Sequence, residues 1–552
     1  MSSHLFGFGQ KVRIIIFYFF VLFFSYLTST MLLKVAQNIT LGSMVLLFIY
    51  CLTMAFSLII INNLEVDHIR KVLTFSQIPS LNYFFTLMAL TGIAPSLMIM
   101  FKHSQFVSVV SLFVSGSFIF SVYLILNNKL FNSLLIFLIN LPFLRLLEWN
   151  LDKIDLKWVT VGPLVLTPTI IFLISIFLAY LLSDKKSEHI ELSGIQISIM
   201  LFMSAAVVSL FVSNDICLSS RQLLLDMSFP LMFFYLLIKG LKNNIEQVRI
   251  LLYILIITGF VYIFMGYYFY LGMTIPSLGL LYSIYGLYGM VSQFRIMATF
   301  IFPFTVAMAL IETGAKRACF ILAAFLGLCF VAVSFSRIAV LGAVFSLIPF
   351  LRKKEVIAPI LAGIILVVIF QGWFMENIFL RFNEFDMLEK LDMSYWSPMR
   401  LWGARAAFSI IREHPLFGIG YGMWNDYYYK YGPALYMGKD IYYITSAHNS
   451  FLDSAVQGGV LLLMGLTGFL WKFISSCMSL IYFSDNKFTK TVSLGLLGFM
   501  IAIITASFAG NVFSISLKDD LTGGIVFWSI VAILVALRSI EKSAKCNTAC
   551  PQ

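Results

Sequence analysis

Long apolar runs separated by short polar segments dominate the pattern of residues along this 552-residue chain. A helix needs about 20 apolar residues to cross the hydrocarbon core of a bilayer. Sixteen runs approach or reach that length, at 13–33, 41–62, 82–101, 105–126, 130–147, 160–182, 193–213, 222–239, 248–270, 297–313, 317–334, 336–351, 355–374, 449–475, 490–510 and 520–539. The pattern predicts an all-α polytopic membrane protein, in which 130–147 and 336–351 are short enough to be re-entrant.

Composition supports the same class. Hydrophobic residues make up 60% of the chain and charged residues only 11%, whereas soluble domains are about one quarter charged. The net charge of +11 does not indicate nucleic-acid binding, because basic residues accumulate on cytoplasmic loops of membrane proteins. Without a basic, soluble segment long enough to form a domain, we expect no nucleic-acid partner.

The basic residues also predict the orientation. Lysines and arginines concentrate in alternate polar segments, such as Lys185 with Lys186, and Arg352 with Lys353. The positive-inside rule therefore places both termini in the cytoplasm. We interpret the apolar run at 13–33 as a retained first span, because no small-residue cleavage site follows it.

One polar segment is much longer than the others. Residues 375–447 join two spans and are rich in tyrosine and tryptophan, a composition that argues against disorder. Within them, Met399 to Arg412 reads as a helix that ends before Pro415. Its apolar residues Leu401, Ala404, Phe408 and Ile411 recur at helical spacing, so one face can lie on the membrane domain.

These features divide the chain into four parts. We expect N-terminal transmembrane helices without a motif at 1–190 and a transmembrane core at 191–374. An external loop with an amphipathic helix follows at 375–447, and C-terminal transmembrane helices at 448–552.

Arginines at the outer ends of spans are candidate substrate-binding residues. They are Arg221, Arg295 and Arg337 beside spans, and Arg400 and Arg405 on the loop helix. The arginine side chain stays charged and presents a planar fork of donors that suits phosphate oxygens. Gathered on one membrane face, the five would bind a diphosphate. The alternative is that each anchors its helix at the lipid interface.

His448 is the candidate catalytic residue. It stands where the polar loop meets an apolar helix, next to a stripe formed by Asn449, Asp453 and Gln457. Neutral imidazole accepts a proton near neutral pH. A capping or packing role remains the alternative. His414, at the end of the loop helix, is more typical of a C-terminal cap.

The sequence predicts neither a metal nor a cofactor. The seven cysteines are scattered without a C-x-x-C pair, so no zinc site is indicated. The glycines of "GIGYG" at 418–422 resemble half of a dinucleotide fingerprint, but they follow a helix rather than a strand. We interpret them as a turn.

The motifs taken in order resemble the bacterial O-antigen ligase and O-antigen polymerase family. "RIMATFIFPF" is followed by "SFSR", then by "RLWGARAAFSIIREHPLFGIGYGMWNDYY", and finally by "AHNSFLDSAVQGG". The likeness covers roughly residues 290–470.

The resemblance implies a GT-C-like membrane glycosyltransferase in the bacterial inner membrane, with a long, partly helical periplasmic loop and about 12–14 spans. Together with the 16 apolar runs of this chain, it leads us to expect about 12–16 transmembrane helices. Its donor would be a glycan on undecaprenyl diphosphate, and its acceptor a sugar hydroxyl on another glycan or on the lipid A core.

His448 matches the family histidine, described as a base or an acceptor-positioning residue. Arg295, Arg337 and the segment with Arg400 and Arg405 match arginines that hold the diphosphate. Membrane lipid and other polysaccharide-assembly proteins are further expected contacts.

Three alternatives stay open from sequence. Ligase and polymerase share these motifs. A transporter or flippase of lipid-linked oligosaccharides would instead place ionisable residues along a path near the bilayer midplane. The third alternative is a scaffold without catalytic activity.

Overall fold

The structure is a computed structural model that describes residues 129–153, 160–161, 164–165, 167–181, 194–241, 244–272, 299–333, 337–351, 396–432, 435–437, 440–442, 446–508 and 521–549, with several positions between 114 and 125. The chain divides into two compact units, Met1–Glu188 and His189–Gln552. The predicted spans at 13–33, 41–62, 82–101 and 355–374 lie outside the described residues.

Within the described residues of the first unit, a short hairpin separates two helices. They are α1 (Leu130–Lys153), β1 (Thr160–Val161), β2 (Leu164–Val165) and α2 (Pro168–Leu181). The span predicted from residue 160 is wrong at its start, because Thr160 and Val161 pair with Val165 and Leu164 as antiparallel strands. The sequence between the strands is Gly-Pro, which favours a turn, and Pro168 is suited to the first position of a helix.

The second unit is mainly helical. Its helices are α3 (Gly194–Leu210), α4 (Ile216–Gly240), α5 (Ile245–Gly272), α6 (Thr299–Ile311), α7 (Gly314–Val333), α8 (Arg337–Phe345), α9 (Trp396–Glu413), α10 (Trp424–Tyr431), α11 (Ser450–Phe483), α12 (Lys487–Ser507) and α13 (Leu521–Ala549). A hairpin of β3 (Leu435–Met437) and β4 (Asp440–Tyr442) precedes α11. Within the described residues, α4, α11, α12 and the Gly523–Lys545 part of α13 are long and apolar enough to span a membrane. The all-α polytopic class is confirmed.

Close helix packing surrounds α11. This helix lies along α3 and α12. A Cβ at Gly465 would be only 2.9 Å from the Cα of Phe202 in α3, so glycine permits the approach of the two backbones. The indole of Trp528 in α13 is almost fully buried and lies 5.8 Å from the ring of Phe469, between ring centroids. These contacts give α11 a rigid support within the membrane.

The predicted helix at 399–412 is confirmed as α9. Its predicted packing face is wrong for Leu401 and Phe408, whereas Ile411 does pack against a buried cluster. The side chains that pack inward are Ala406, Ala407 and Ile410, which join a buried cluster with Trp424 and Tyr428 of α10. The hydrophobic pattern indicated the wrong face because the inward-facing residues are mostly small and contribute little to that pattern. The larger apolar side chains lie on the opposite side of the helix.

Leu401 and Phe408 belong to the face that the sequence assigned to the membrane domain. They are 52% and 61% exposed. These two large side chains recur at helical spacing, as predicted, but they point away from the buried cluster that holds the helix in place.

Polar contacts join the end of α9 to the end of α10. Lys430 Nζ lies 3.3 Å from Glu413 Oε2, and the Tyr431 hydroxyl donates to the same carboxylate. The hydrogen bond from Tyr431, followed by that from Lys430, lowers the pKa of the Glu413 carboxyl. The link is therefore present at neutral pH and weakens as pH falls through that lowered pKa.

Cysteine labelling tests the sidedness of this loop. In a variant without the native cysteines, Tyr429→Cys should react with a membrane-impermeant maleimide from outside, because Tyr429 is 57% exposed. Asp485→Cys, in the exposed link between α11 and α12, should react only after permeabilisation. Labelling of Asp485→Cys from outside, or of neither position, would contradict a loop on the outer face.

Candidate functional site

Helix α11 is broken at Gly459, its tenth residue. It begins at Ser450, and Gly459 then adopts φ 64° and ψ −160°, outside the helical region. A break of this kind interrupts the hydrogen bonds that run from each N–H to the carbonyl four residues earlier. In a membrane helix, those backbone groups must find other partners within the protein.

The segment that follows α9 supplies these partners. Ile419 N donates to Val456 O at 2.9 Å, and Gly420 N donates to Gln457 O at 3.1 Å. In the other direction, Val460 N donates to Pro415 O at 2.9 Å. The segment after α9 therefore completes the backbone hydrogen bonds of α11 at its break. The two sequence motifs, "HPLFGIGYG" and "AHNSFLDSAVQGG", are parts of one structure.

Glycine is required on both sides of this contact. A Cβ at Gly418, whose φ is +66°, would lie 2.3 Å from Val456 O, and a Cβ at Gly459 would lie 2.2 Å from Leu416 O. Neither position has room for a side chain. The interpretation of residues 418–422 as a turn agrees with this geometry.

The same loop is also attached to the start of α4. Ser219 Oγ donates to Tyr421 O at 2.6 Å, and Gly422 N donates to the side-chain oxygen of Gln457 at 3.1 Å. A Cβ at Gly422 would be 2.7 Å from Gln222 Cγ. The loop is thus held between α4 and α11.

Tyr421 connects the loop to a buried carboxylate. Its side chain is 3% exposed, as is Asp226, and its hydroxyl hydrogen-bonds with Asp226. Gln222 Nε2 also donates to Asp226 Oδ2, at 2.9 Å. Burial, followed by the Asp226 charge, raises the pKa of Tyr421 well above its usual value. The phenol therefore stays protonated and can donate to the carboxylate.

Asp226 lies in a wider turn of α4. Residues Leu224–Ser228 form a π-helical segment, and such single-turn bulges occur frequently at functional sites. The candidate residues predicted from the sequence do not include Asp226. A carboxylate within an apolar helix is the signal that could have singled it out.

His448 occupies an unusual backbone position immediately before α11. Its φ is +52°, the one positive value at a non-glycine among the residues that the structure describes. Histidine is enriched several-fold in this region relative to most residues. The turn is fixed on both sides: Ala447 N donates to Asp453 Oδ1 at 2.8 Å, and Asn449 caps α11 through Phe451 N and Leu452 N. The half-buried imidazole is thus attached to a defined backbone.

The polar stripe beside His448 has structural roles in this arrangement. Asp453 holds the turn, Gln457 holds the loop, and the Asn449 side chain also donates to Phe508 O at the end of α12, at 3.2 Å. The stripe therefore faces protein, as a polar stripe within a membrane helix must face protein or water. Asp453, at 1% exposure, thus holds the backbone of the turn that carries His448.

The candidate arginines are only partly described. Arg221 is half-buried on α4, next to Gln222 at the loop contact. Arg405 is exposed on α9, with its guanidinium 5.1 Å from the centre of the Trp402 ring. Arg337 begins α8 and Arg400 lies in α9, with side chains outside the described part, and Arg295 lies outside the described residues. The gathering of the five arginines stays a prediction.

His414 packs rather than projecting into this site. It follows α9 directly, its N–H donates to Ile410 O at 2.8 Å, and its ring meets that of Tyr427 edge-on, with 5.6 Å between centroids. This placement fits the expected role at the end of the helix.

A comparison with protein families agrees with the motifs. The family model described as O-antigen ligase matches residues 322–467, a segment that contains Arg337, Arg400, Arg405 and His448 and both halves of the loop contact. The resemblance is confirmed over those residues and supports a membrane glycosyltransferase of the O-antigen ligase type. A search of curated proteins finds no significant match.

Proposed function

We propose that this chain, which matches the O-antigen ligase family over residues 322–467, transfers a glycan from undecaprenyl diphosphate to a sugar hydroxyl on the outer face of the bacterial inner membrane. The observation that carries the proposal is the position of His448, at the junction of a membrane helix and an external loop that are hydrogen-bonded into one unit. The lipid tail of the donor lies in the membrane and its glycan lies in water, so the reacting bond lies where membrane and water meet. The acceptor is another lipid-linked glycan or the lipid A core.

The proposed chemistry is one displacement at the anomeric carbon. The acceptor oxygen forms a bond to that carbon as the bond to the phosphate oxygen breaks, and the diphosphate leaves with the electron pair. The hydroxyl proton passes to the His448 imidazole and then to solvent. Since the leaving group is already good, the protein must align the hydroxyl and stabilise the developing charge.

Arg337 is a candidate to stabilise that charge. Arg337→Lys should reduce transfer at least tenfold, because a compact ammonium does not reproduce the two-pronged contact that a guanidinium makes with phosphate. Product glycan per unit of folded protein is the measurement, and Arg317→Lys, at an exposed position on α7, is the control. Near-normal turnover of Arg337→Lys would show that Arg337 only anchors its helix.

The arginines also make a divalent ion unnecessary in this proposal. Purified protein in detergent or nanodiscs, supplied with a lipid-linked glycan and an acceptor, should keep its rate in the presence of a chelator. Loss of product on chelation, with rescue by one divalent cation, would contradict phosphate binding by arginines alone.

A further inference from the structure

The outward face of α9 combines large apolar side chains with arginines. Leu401, Trp402 and Phe408 are 52%, 37% and 61% exposed, and Arg405 and Arg412 are exposed beside them. The opposite face is fully occupied by the buried cluster around Ala406 and Ile410. The helix is therefore attached through its small residues and presents its larger apolar residues outward.

This exposed face continues onto a membrane-spanning helix. After α9, Leu416 and Phe417 are 58% and 42% exposed, and their backbones lie against Gly459. The next residues of α11, Val460 and Leu461, are each 39% exposed. Because α11 is apolar and long enough to span a membrane, its exposed apolar side chains face lipid. The same apolar strip extends from there to α9.

The length of α11 locates the strip relative to the bilayer. From Ser450 to Lys472, which lies against Gly194 at the start of α3, the helix rises roughly 33 Å at 1.5 Å per residue, close to the ~30 Å thickness of the hydrocarbon core. The break at Gly459 therefore lies in the outer half of the hydrocarbon. Leu416 and Phe417, whose backbones lie against Gly459, are at a depth where lipid surrounds the protein.

We propose that α9 lies on the outer leaflet of the membrane, with Leu401 and Phe408 in the boundary between headgroups and acyl chains and with Arg405 and Arg412 at lipid phosphates. An amphipathic helix with basic residues binds in this way, since apolar burial and attraction to anionic headgroups act together. Arginine stems lie along apolar surface while their charged ends reach polar groups. Exposed large apolar side chains that form a continuous strip are uncommon on a surface that contacts only water.

This lipid contact gives the loop a second attachment, beside its hydrogen bonds to α11. It also holds the loop at the depth where phosphate groups of membrane lipids are found.

The experiment uses the full chain in nanodiscs of phosphatidylethanolamine and phosphatidylglycerol. In a variant without native cysteines, an environment-sensitive fluorophore is attached at Phe408→Cys or, as a matched control, at Tyr429→Cys on α10, where the side chain is 57% exposed. At position 408 we expect blue-shifted emission that is quenched by lipids with a nitroxide near the headgroup end of the acyl chain. At position 429 we expect quenching by aqueous iodide.

Two results would overturn the proposal. Iodide quenching at 408 equal to that at 429 would place the face in water. Protection at 408 from both quenchers would show that protein covers it, either another part of this chain or a second copy. Leu401→Cys reports on the same face and replaces Phe408→Cys if that variant fails to fold, as judged by size-exclusion chromatography.

Discussion

Replacing His448 with alanine should lower glycan transfer by about 10²–10⁴-fold, the usual contribution of a positioned acid–base group. Expression, membrane insertion and donor binding should persist, because the lipid diphosphate is assigned to the arginines. The turn around His448 keeps its hydrogen bond from Ala447 N to Asp453 and its cap at Asn449. The measurement is product glycan per unit of folded protein.

A second variant separates proton transfer from backbone effects. His448 has a φ of +52°, a conformation that asparagine tolerates better than alanine does. His448→Asn should therefore preserve the turn and still be inactive, since an amide does not accept the proton. His414→Ala, which removes a ring packed against Tyr427, should have a milder effect. If His448→Ala retains more than about a tenth of activity, the loss is smaller than the smallest one expected for an acid–base group. His448 is then a packing residue.

Gly459→Ala should disrupt the loop contact and reduce transfer together with thermal stability. The φ of 64° and ψ of −160° fall in a region that is essentially restricted to glycine, where other residues incur about 1–3 kcal/mol of strain. The new Cβ would also lie 2.2 Å from Leu416 O. The backbone at residues 416–417 would have to move, which would weaken the hydrogen bonds from Ile419 and Gly420 to α11.

The same helix provides a matched control. A Cβ at Gly468 would meet no neighbouring atom of the described residues within 4 Å, and this glycine lies in the regular part of α11. Gly468→Ala should leave activity unchanged and stabilise the helix by roughly 0.5–1 kcal/mol, the usual difference between alanine and glycine. Thermal unfolding of both variants in the same detergent is the comparison. Equal behaviour would mean that the contact at Gly459 does not hold the loop.

Within the described part of the chain, the sequence predicted most apolar helices and α9, because their signals are local. Apolar runs of sufficient length mark spans, and Pro415 with the following glycines marks the end of α9. It failed on the face of α9, where Ala406, Ala407 and Ile410 pack closely because they are mostly small. It also missed α10, whose sequence "WNDYYYKY" carries few strong helix-forming residues.

The contact between the loop and α11 could not be predicted for a different reason. Its hydrogen bonds join backbone atoms of residues that are far apart in sequence, such as Ile419 with Val456, and backbone pairing leaves no trace in side-chain periodicity. Only the glycines at 418 and 459 signal it, as positions where two chains approach closely. Similarly, sequence indicated that Asp453 and Gln457 must face protein or water, but not that they hold a turn and a loop.

The central claim is that this chain forms a glycosidic bond at a site containing His448. The most direct test incubates purified protein, in nanodiscs, with a polyprenyl-diphosphate glycan and a separate acceptor, and identifies the products by mass spectrometry. The proposal predicts a longer glycan or a glycosylated acceptor together with released polyprenyl diphosphate, and neither product with His448→Ala. Movement of the intact donor across the bilayer without a new bond would contradict it and would identify a flippase.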